Sequence, residues 1–244
     1  PELFHDGSGI VEAFTLEVWM QQQALCMVGE PGTGKTEGGR HIAYLTQSPF
    51  THLQITEDTL PDEFLGKTGY SPEIGTHFVW GRLPRAISRP GVVLLDELNT
   101  GADSILQTCR SLLASSRTLF LDGEEDAAKH VVKQHDHCFT MLALNPAWDP
   151  RNLGVRELAD ADISRMSYLY VEEPDEATIM QIVTTKLADL ELEASADELE
   201  GMMKVRKDIK EMSRSGALPY SWSIRQDVKV AQKMAYYSPA TAYK

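Results

Sequence analysis

Gly29-Glu30-Pro31-Gly32-Thr33-Gly34-Lys35-Thr36 has the pattern G-x-x-x-x-G-K-T, which is typical of a phosphate-binding loop. The apolar run 24–28 before it predicts a buried strand, and residues 36–45 after it predict a helix. Glycines let the backbone N–H groups face phosphate oxygens, and the helix N-terminus adds partial positive charge. We expect Lys35 to reach the β- and γ-phosphates and the Thr36 hydroxyl to ligate Mg²⁺. All eight residues are therefore candidate nucleotide-binding residues of an α/β domain.

A second motif, Asp96-Glu97, directly follows the continuous apolar run 91–95. Asp96 is thereby placed at the C-terminal end of a strand, where it can hold Mg²⁺. The adjacent Glu97 can polarise a water molecule for attack on the γ-phosphate. A pair of carboxylates on a solvated strand end is the alternative interpretation. The intervening sequence has room for a further strand and helix, so we do not expect the two motif strands to be sequence neighbours in the fold.

Asn145 ends a third apolar strand, residues 139–144, and precedes Pro146. In a parallel sheet its amide would project beside the γ-phosphate, where it can orient the attacking water. Asn-Pro is also a common loop start, so this signal depends on the two motifs before it.

Composition limits the classes of protein that fit this chain. Its 244 residues, 42% of them hydrophobic, suffice for one sizeable core and a small second domain. No apolar run approaches the roughly 20 residues of a membrane span, and no secretory signal is visible, so we expect a cytoplasmic protein. The three cysteines lack metal-ligand spacing and are predicted to be buried reduced thiols. A net charge of −13 argues against a broad nucleic-acid surface, although a narrow basic channel built from several subunits stays possible.

The order of predicted elements indicates two domains. Strands alternate with helices as far as residue 171, and helical spacing continues alone beyond Pro174. This order predicts a parallel-sheet nucleotide-binding domain over residues 1–173 and a helical lid over residues 174–244. Residues 9–22 predict a helix before the first strand. Two interruptions predict hairpins, one over residues 66–81 and one over residues 118–133, the latter with a polar tip from Asp122 to Lys129.

In these features the chain resembles the AAA+ ATPases, and within them the MoxR-type group. That group includes the small subunit of cobaltochelatase, the gas-vesicle protein N family, and the activators of Rubisco and nitric oxide reductase. The resemblance covers roughly residues 20–235, and its matching stretches are 29–36 (GEPGTGKT), 94–99 (LLDELN), 144–146 (LNP) and 158–166 (LADADISRM). It implies an AAA+ P-loop NTPase core with a parallel five-stranded sheet, the two hairpins as the helix-2 insert and the pre-sensor hairpin, and a C-terminal helical lid.

The resemblance also implies an activity and partners. The expected activity is Mg²⁺-dependent ATP hydrolysis by a homo-oligomeric ring, typically a hexamer. The ring is expected to act in a chaperone-like way, remodelling or activating a protein or protein–cofactor complex, with a partner that carries a von Willebrand A-type domain. By the same resemblance, Arg165 is the arginine finger that reaches the nucleotide of the neighbouring subunit, and Arg225 is the sensor-2 arginine acting in cis.

Several alternatives stay open at this point. The family often has Asp-Arg-Phe where this chain has Ser164-Arg165-Met166, and Arg151 and Arg156 are rival finger candidates; Arg165 as a plain surface arginine is the other interpretation. Tyr70, Phe78 and Trp80 in the first hairpin either line a central pore that grips a polypeptide or pack the hairpin onto its own domain. A nucleic-acid motor, helicase-like or packaging, is a second functional class. A non-hydrolysing nucleotide-gated scaffold is a third, which the presence of both Glu97 and Asn145 disfavours.

Overall fold

A computed structural model describes residues 7, 9–20, 23–121, 130–149, 151–152, 154–220, 222–237 and 242. The described residues form two compact units. The first comprises the described residues from 9 to 29, which end with the first residue of the phosphate loop, and those from Gly34 to Val171. The second runs from Glu172 onward and includes Glu30–Thr33.

A parallel sheet forms the centre of the first unit. The strands in chain order are β1 (Ala24–Val28), β2 (Phe50–Gln54), β3 (Gly66–Ser71), β4 (Gly75–Trp80), β5 (Gly91–Asp96), β6 (Thr118–Phe120), β7 (Val131–Lys133), β8 (Cys138–Leu144) and β9 (Met166–Tyr170). Five of them make the sheet, in the spatial order β2-β5-β8-β1-β9, and every pair in it is parallel. The predicted α/β fold with a five-stranded parallel sheet is confirmed.

The central strands explain the continuous apolar runs of the sequence. All of β8 is buried, and β5 is buried as far as Leu95, because both faces of a parallel sheet are covered. Val28 of β1 pairs with Leu144 of β8, and Asp96 of β5 pairs with Ala143. This register brings the carboxyl ends of three strands to one edge of the sheet, with β8 between the strands that carry the two motifs.

Helices surround the sheet and make up most of the second unit. They are α1 (Ile10–Ala13), α2 (Lys35–Leu45), α3 (Pro61–Phe64), α4 (Arg82–Ile87), α5 (Asp103–Leu113), α6 (Asp160–Ile163), α7 (Glu176–Ala188), α8 (Ala196–Arg214) and α9 (Ile224–Met234), with a 3₁₀ turn at Leu98–Thr100. Among these described helices, none has the length and apolar character to cross a membrane. Cys26, Cys109 and Cys138 are buried free thiols, and burial raises the pKa of each to about 12.

The N-terminal helix differs from its prediction. Only Ile10–Ala13 is α-helical, and Phe14–Met20 continues as a π-helix. A π-helix bonds residues five apart, so its wider turn lets side chains at that spacing face one neighbour. Phe14 and Trp19 have this spacing, and both pack against Phe139 of β8, with ring centroids 5.5 and 5.2 Å away. Packing on the sheet therefore decided the local helix type.

Both predicted hairpins are present. β3 pairs with β4 and β6 pairs with β7, all antiparallel, while the predicted tip from Asp122 to Lys129 lies outside the described residues. Phe78 and Trp80 are half-buried and pack against the core of the first unit. Tyr70 on the same hairpin is 75% exposed. These contacts favour a packing role for Phe78 and Trp80 and leave Tyr70 available to a substrate.

Replacing Phe78 and Trp80 together by alanine is expected to destabilise the first unit. Half-buried aromatic side chains contribute roughly half of the 3–5 kcal/mol of fully buried ones, so the pair contributes about 4 kcal/mol. For a domain of this size that corresponds to a fall in Tm of about 10 °C, measured by thermal unfolding. Tyr70→Ala is the control, with an unchanged Tm. An unchanged Tm in the double variant, combined with loss of substrate-stimulated ATPase, would return both residues to the pore interpretation.

The core of the second unit contains a buried charge network. Arg206 of α8 is 4% exposed, and its Nη1 donates to Oδ2 of Asp227 at 2.7 Å. Trp222 Nε1 donates to the other Asp227 oxygen at 2.6 Å, and Glu173 bridges Arg206 and Lys210. Burial raises the pKa of the Asp227 carboxyl, while the Trp222 hydrogen bond and the Arg206 charge oppose that shift. The network fixes α8, α9 and the segment after β9 to one another.

Candidate active site

The phosphate loop begins where β1 ends. Gly29 N–H donates to the Leu144 carbonyl of β8 at 3.2 Å, which anchors the start of the loop to the sheet. Gly32 and Gly34 have φ of 87° and 94°, a left-handed conformation that favours glycine. Lys35 opens α2 and is 7% exposed, and its Nζ donates to the Gly29 carbonyl at 2.7 Å. A buried ammonium is thus held inside a loop whose backbone is shaped to receive an anion.

Asp96 lies at the end of β5 next to the first turn of α2. Its Oδ2 accepts a hydrogen bond from the Thr36 hydroxyl at 3.1 Å. The same oxygen lies 2.8 Å from Nε2 of His52, which projects from the neighbouring strand β2. The two predicted metal ligands are therefore in contact, and the His52 imidazole bonds the same carboxylate oxygen.

Glu97 turns the chain sharply at the end of β5. Its φ of 59° is left-handed, a conformation that is strained for a non-glycine residue. Its N–H donates to the Ala143 carbonyl at 2.8 Å, so the ladder with β8 holds the turn in place. Gln54 of β2 donates from Nε2 to Glu97 Oε2 at 3.2 Å. The turn directs the Glu97 carboxylate along the carboxyl edge of the sheet.

Asn145 stands between the two motifs. Lys35 Nζ lies 3.4 Å from its Oδ1, and its Nδ2 donates to Glu97 Oε1 at 3.3 Å. The contact follows from the strand order, because β8 separates β1 from β5 and Asn145 immediately follows β8. One amide thus joins the phosphate-binding ammonium to the carboxylate that can activate water.

The residues at this edge fit a hard divalent cation. Thr36 and Asp96 offer a hydroxyl and a carboxylate, which are oxygen ligands of the kind that Mg²⁺ prefers. Within the described part of the chain, no group of three or more His, Cys, Asp or Glu side chains converges to hold a metal. Mg²⁺ in nucleotide sites is bound by one or two protein ligands together with phosphates and water, and this arrangement supplies such a pair.

Residues 24–166 match the family model of the AAA domain, dynein-related subfamily. The chain belongs to this family. The match runs from β1 to the start of β9 and includes Lys35, Asp96, Glu97, Asn145 and Arg165. Membership in the AAA family implies ATP binding and ATPase activity, and AAA domains generally form oligomeric rings.

Two similar proteins share the domain at low identity. The chain is 27% identical to midasin of Dictyostelium discoideum over 169 residues, which is 69% of this chain and 3% of that protein. It is 31% identical to midasin of Giardia intestinalis over 100 residues, which is 41% of this chain and 2% of that protein. The chain therefore spans a few per cent of the length of these relatives.

The three arginines considered as fingers differ in their partners within this AAA domain. Arg151 pairs with Asp149, Nη2 to Oδ2, at 2.6 Å, and its hydrogen bonds lower the pKa of that carboxyl. Arg156 pairs with Asp103 at 2.5 Å. Arg165 is half-buried after α6, and no side chain among the residues described above forms an ion pair or hydrogen bond with its guanidinium. Of the three, Arg165 is the one whose head group is held by no side chain in the described part of the chain.

The turn that carries Arg165 is itself anchored. Asp162 of α6 is 1% exposed and accepts from Arg110 of α5, Nε to Oδ1 at 2.6 Å and Nη2 to Oδ2 at 3.1 Å. This bond raises the pKa of the Arg110 guanidinium. Arg165 N–H in turn donates to the Asp162 carbonyl at 3.2 Å. The backbone that carries Arg165 is therefore fixed to α5 and α6.

Arg225 lies in the second unit. It is exposed in the first turn of α9, directly after Ser223-Ile224, and a capping box between Ser223 and Gln226 fixes the start of that helix. Its predicted sensor-2 role stays a prediction.

Three polar contacts of the AAA site were not predicted from the sequence. His52, Gln54 and Asn99 all hydrogen-bond to members of the site. A signal existed for the first two, because alternation along β2 places His52 and Gln54 on one face of the strand. For Asn99 the sequence offered no such signal, because residues 96–100 are polar apart from Leu98.

Proposed function

We propose that this chain is an ATP-hydrolysing ring motor of the MoxR type that remodels or activates a protein or protein–cofactor complex. The observation that carries the proposal is the Asn145 amide, 3.4 Å from Lys35 Nζ and 3.3 Å from Glu97 Oε1. An anion-binding loop alone serves many nucleotide-dependent proteins. An amide between the lysine ammonium that binds phosphate and a further carboxylate suits hydrolysis. The water beside the γ-phosphate must be oriented, and it must lose a proton to a base.

The proposed roles follow from these positions. Residues 29–36 bind the phosphates of ATP, and Thr36 and Asp96 hold Mg²⁺. When bound, Mg²⁺ neutralises charge on the β- and γ-phosphates. Glu97 accepts a proton from the attacking water, and Asn145 orients that water. Asn145 donates to Glu97 Oε1 and Gln54 donates to Oε2, and we propose that ATP binding redirects Asn145 towards the γ-phosphate and so releases Oε1 for the water.

Ring assembly completes the proposed site. Arg165 is the finger in trans, which agrees with a guanidinium that no side chain of the described residues holds and with the ion pairs of Arg151 and Arg156. Arg225 is the proposed sensor-2 arginine in cis, and the proposed domains are a nucleotide-binding core of residues 1–173 and a helical lid of residues 174–244. A hexamer is the proposed assembly. A finger that is supplied by a neighbour makes turnover depend on that assembly.

The proposed substrate is a polypeptide. Tyr70, 75% exposed on the first hairpin, is available for contact with it, and a protein with a von Willebrand A-type domain is the proposed partner. The net charge of −13 disfavours nucleic acid. The buried free thiols agree with the cytoplasmic location that we propose.

Lys35→Ala is expected to weaken ATP binding by at least about tenfold, because it removes the buried ammonium from the phosphate loop. Equilibrium titration with a fluorescent ATP analogue measures the loss. Lys207→Ala, an exposed lysine of α8, is the matched control and should bind as the wild type does.

Two results would contradict the proposal. Unchanged affinity and turnover in Lys35→Ala would remove the loop from nucleotide binding. Strong stimulation of the wild-type ATPase by single- or double-stranded DNA or RNA, without stimulation by protein, would favour the nucleic-acid motor instead.

A further inference from the structure

Asn99 is a buried polar residue that lies just behind the proposed catalytic carboxylate. It is 5% exposed and occupies the middle of the 3₁₀ turn Leu98–Thr100, two residues after Glu97. The left-handed conformation of Glu97 reverses the chain, and Thr100 N–H closes the turn on the Glu97 carbonyl at 2.9 Å. Asn99 is therefore rigidly connected to the turn that directs the Glu97 side chain.

Both hydrogens of the Asn99 amide reach backbone carbonyls of the segment after β8. Nδ2 donates to the Asn145 carbonyl at 3.0 Å and to the Arg156 carbonyl at 3.4 Å. Arg156 N–H donates back to the Asn99 carbonyl at 3.0 Å. The Asn99 side chain thus joins the Glu97 turn to two residues that are distant from it in sequence, Asn145 and Arg156.

The side-chain oxygen of Asn99 makes no comparable contact. Asn99 Oδ1 is buried and accepts no hydrogen bond from the residues that the structure describes. A buried unpaired carbonyl oxygen is costly, and an apolar side chain of similar size would avoid that cost. The feature that asparagine alone provides here is the pair of donors.

The clamped segment leads from Asn145 to Arg165. It is held a second time at residue 156, whose guanidinium bonds Asp103 and the Gly101 carbonyl of the same turn. Displacement of this segment would move the Asn145 amide relative to Glu97, and it would move the start of the chain that enters α6.

We propose that Asn99 is a positioning residue for ATP hydrolysis. Its two donors hold the Asn145 turn and the segment leading to Arg165 in fixed positions relative to Glu97. One side chain thereby aligns Glu97 and Asn145, which act within their own subunit, with Arg165, which acts on the neighbouring subunit. The proposal rests on the ATPase function proposed above.

Asn99→Asp tests it, because aspartate keeps the shape of the side chain and removes both donors. We expect kcat to fall at least about tenfold, while the Kd for ATP stays within about threefold of wild type, because the phosphate loop is untouched. Asn99→Ser, which keeps one hydroxyl donor and adds no charge, should give an intermediate kcat. It replaces the aspartate variant as the test if the latter does not fold. Asn152→Asp is the matched control: Asn152 donates to the Pro146 carbonyl at 2.9 Å in the same segment, and we expect wild-type kcat.

Wild-type kcat in Asn99→Asp would overturn the proposal, and so would an equal loss of kcat in Asn152→Asp. Mixed rings separate this failure from failure of the proposed function. Lys35→Ala mixed with Arg165→Ala tests the finger in trans by itself and does not involve Asn99. Asn99→Asp should recover activity neither with Lys35→Ala, which supplies an intact finger, nor with Arg165→Ala, which supplies an intact cis site. Recovery in either mixture would overturn the corresponding half of the positioning role.

Discussion

Replacing Arg165 by alanine is expected to lower ATP turnover by about 10³- to 10⁵-fold while ATP still binds, because an arginine finger acts on charge that develops in the transition state. Among the described residues no side chain pairs with the Arg165 guanidinium, whereas Arg151 and Arg156 are paired with Asp149 and Asp103. Arg151→Ala, which removes a surface pair, is the control and should leave kcat within about threefold of wild type. Steady-state ATPase assays and nucleotide titration measure the two quantities separately.

The decisive measurement mixes Arg165→Ala subunits with Lys35→Ala subunits, each nearly inactive alone. In randomly assembled rings, on the order of a quarter of the interfaces combine an intact nucleotide site with an intact finger, so part of the activity should return. Specific activity of the wild type should also fall on dilution as rings dissociate. If co-assembled mixtures stay inactive, or if specific activity does not depend on concentration, Arg165 does not act in trans and Arg156 is the next residue to test.

Glu97→Gln is expected to bind ATP with unchanged affinity and to hydrolyse it about 10²- to 10⁴-fold more slowly, since a general base contributes that much to a proton transfer. Glutamine keeps the shape of the side chain; its oxygen can still accept from Asn145, and its NH₂ group can donate to Gln54 once the Gln54 amide turns its oxygen inward. The contacts of Lys35, Thr36 and Asp96 do not involve the Glu97 side chain, so phosphate binding should persist. Single-turnover hydrolysis, compared with nucleotide affinity, separates the chemical step from binding.

Glu63→Gln, an exposed carboxylate on α3 of the same unit, is the matched control and should hydrolyse ATP at the wild-type rate. Wild-type turnover in Glu97→Gln would remove Glu97 from its role as base. A parallel loss of ATP affinity would show instead that the left-handed turn at residue 97 had been disturbed.

The sequence by itself determined the elements and the chemistry-bearing positions. The phosphate loop is recognisable because its glycines, lysine and threonine are contiguous and their spacing is set by local backbone geometry. The buried strands were evident as continuous apolar runs, since both faces of a parallel sheet are covered. Asp96 and Asn145 were placed correctly at strand ends, because each directly follows an apolar run. The carboxyl ends of parallel strands share one edge, so both residues were expected at that edge. The hairpins were predictable because turn residues determine the backbone conformation over only a few neighbouring positions.

Only the tertiary structure decided which of these groups touch. The contact of Asn145 with both Lys35 and Glu97 depends on β8 lying between β1 and β5, and strand order is not encoded in any local pattern. The same holds for His52 and Gln54, which β2 brings beside β5, and for Asn99, whose partners are distant in sequence. The pairing of Arg151 and Arg156 separated them from Arg165, and burial of Phe78 and Trp80 favoured packing over a pore role. These distinctions depend on contacts between residues far apart in sequence, which the strand and helix periodicities of two and 3.6 residues do not predict.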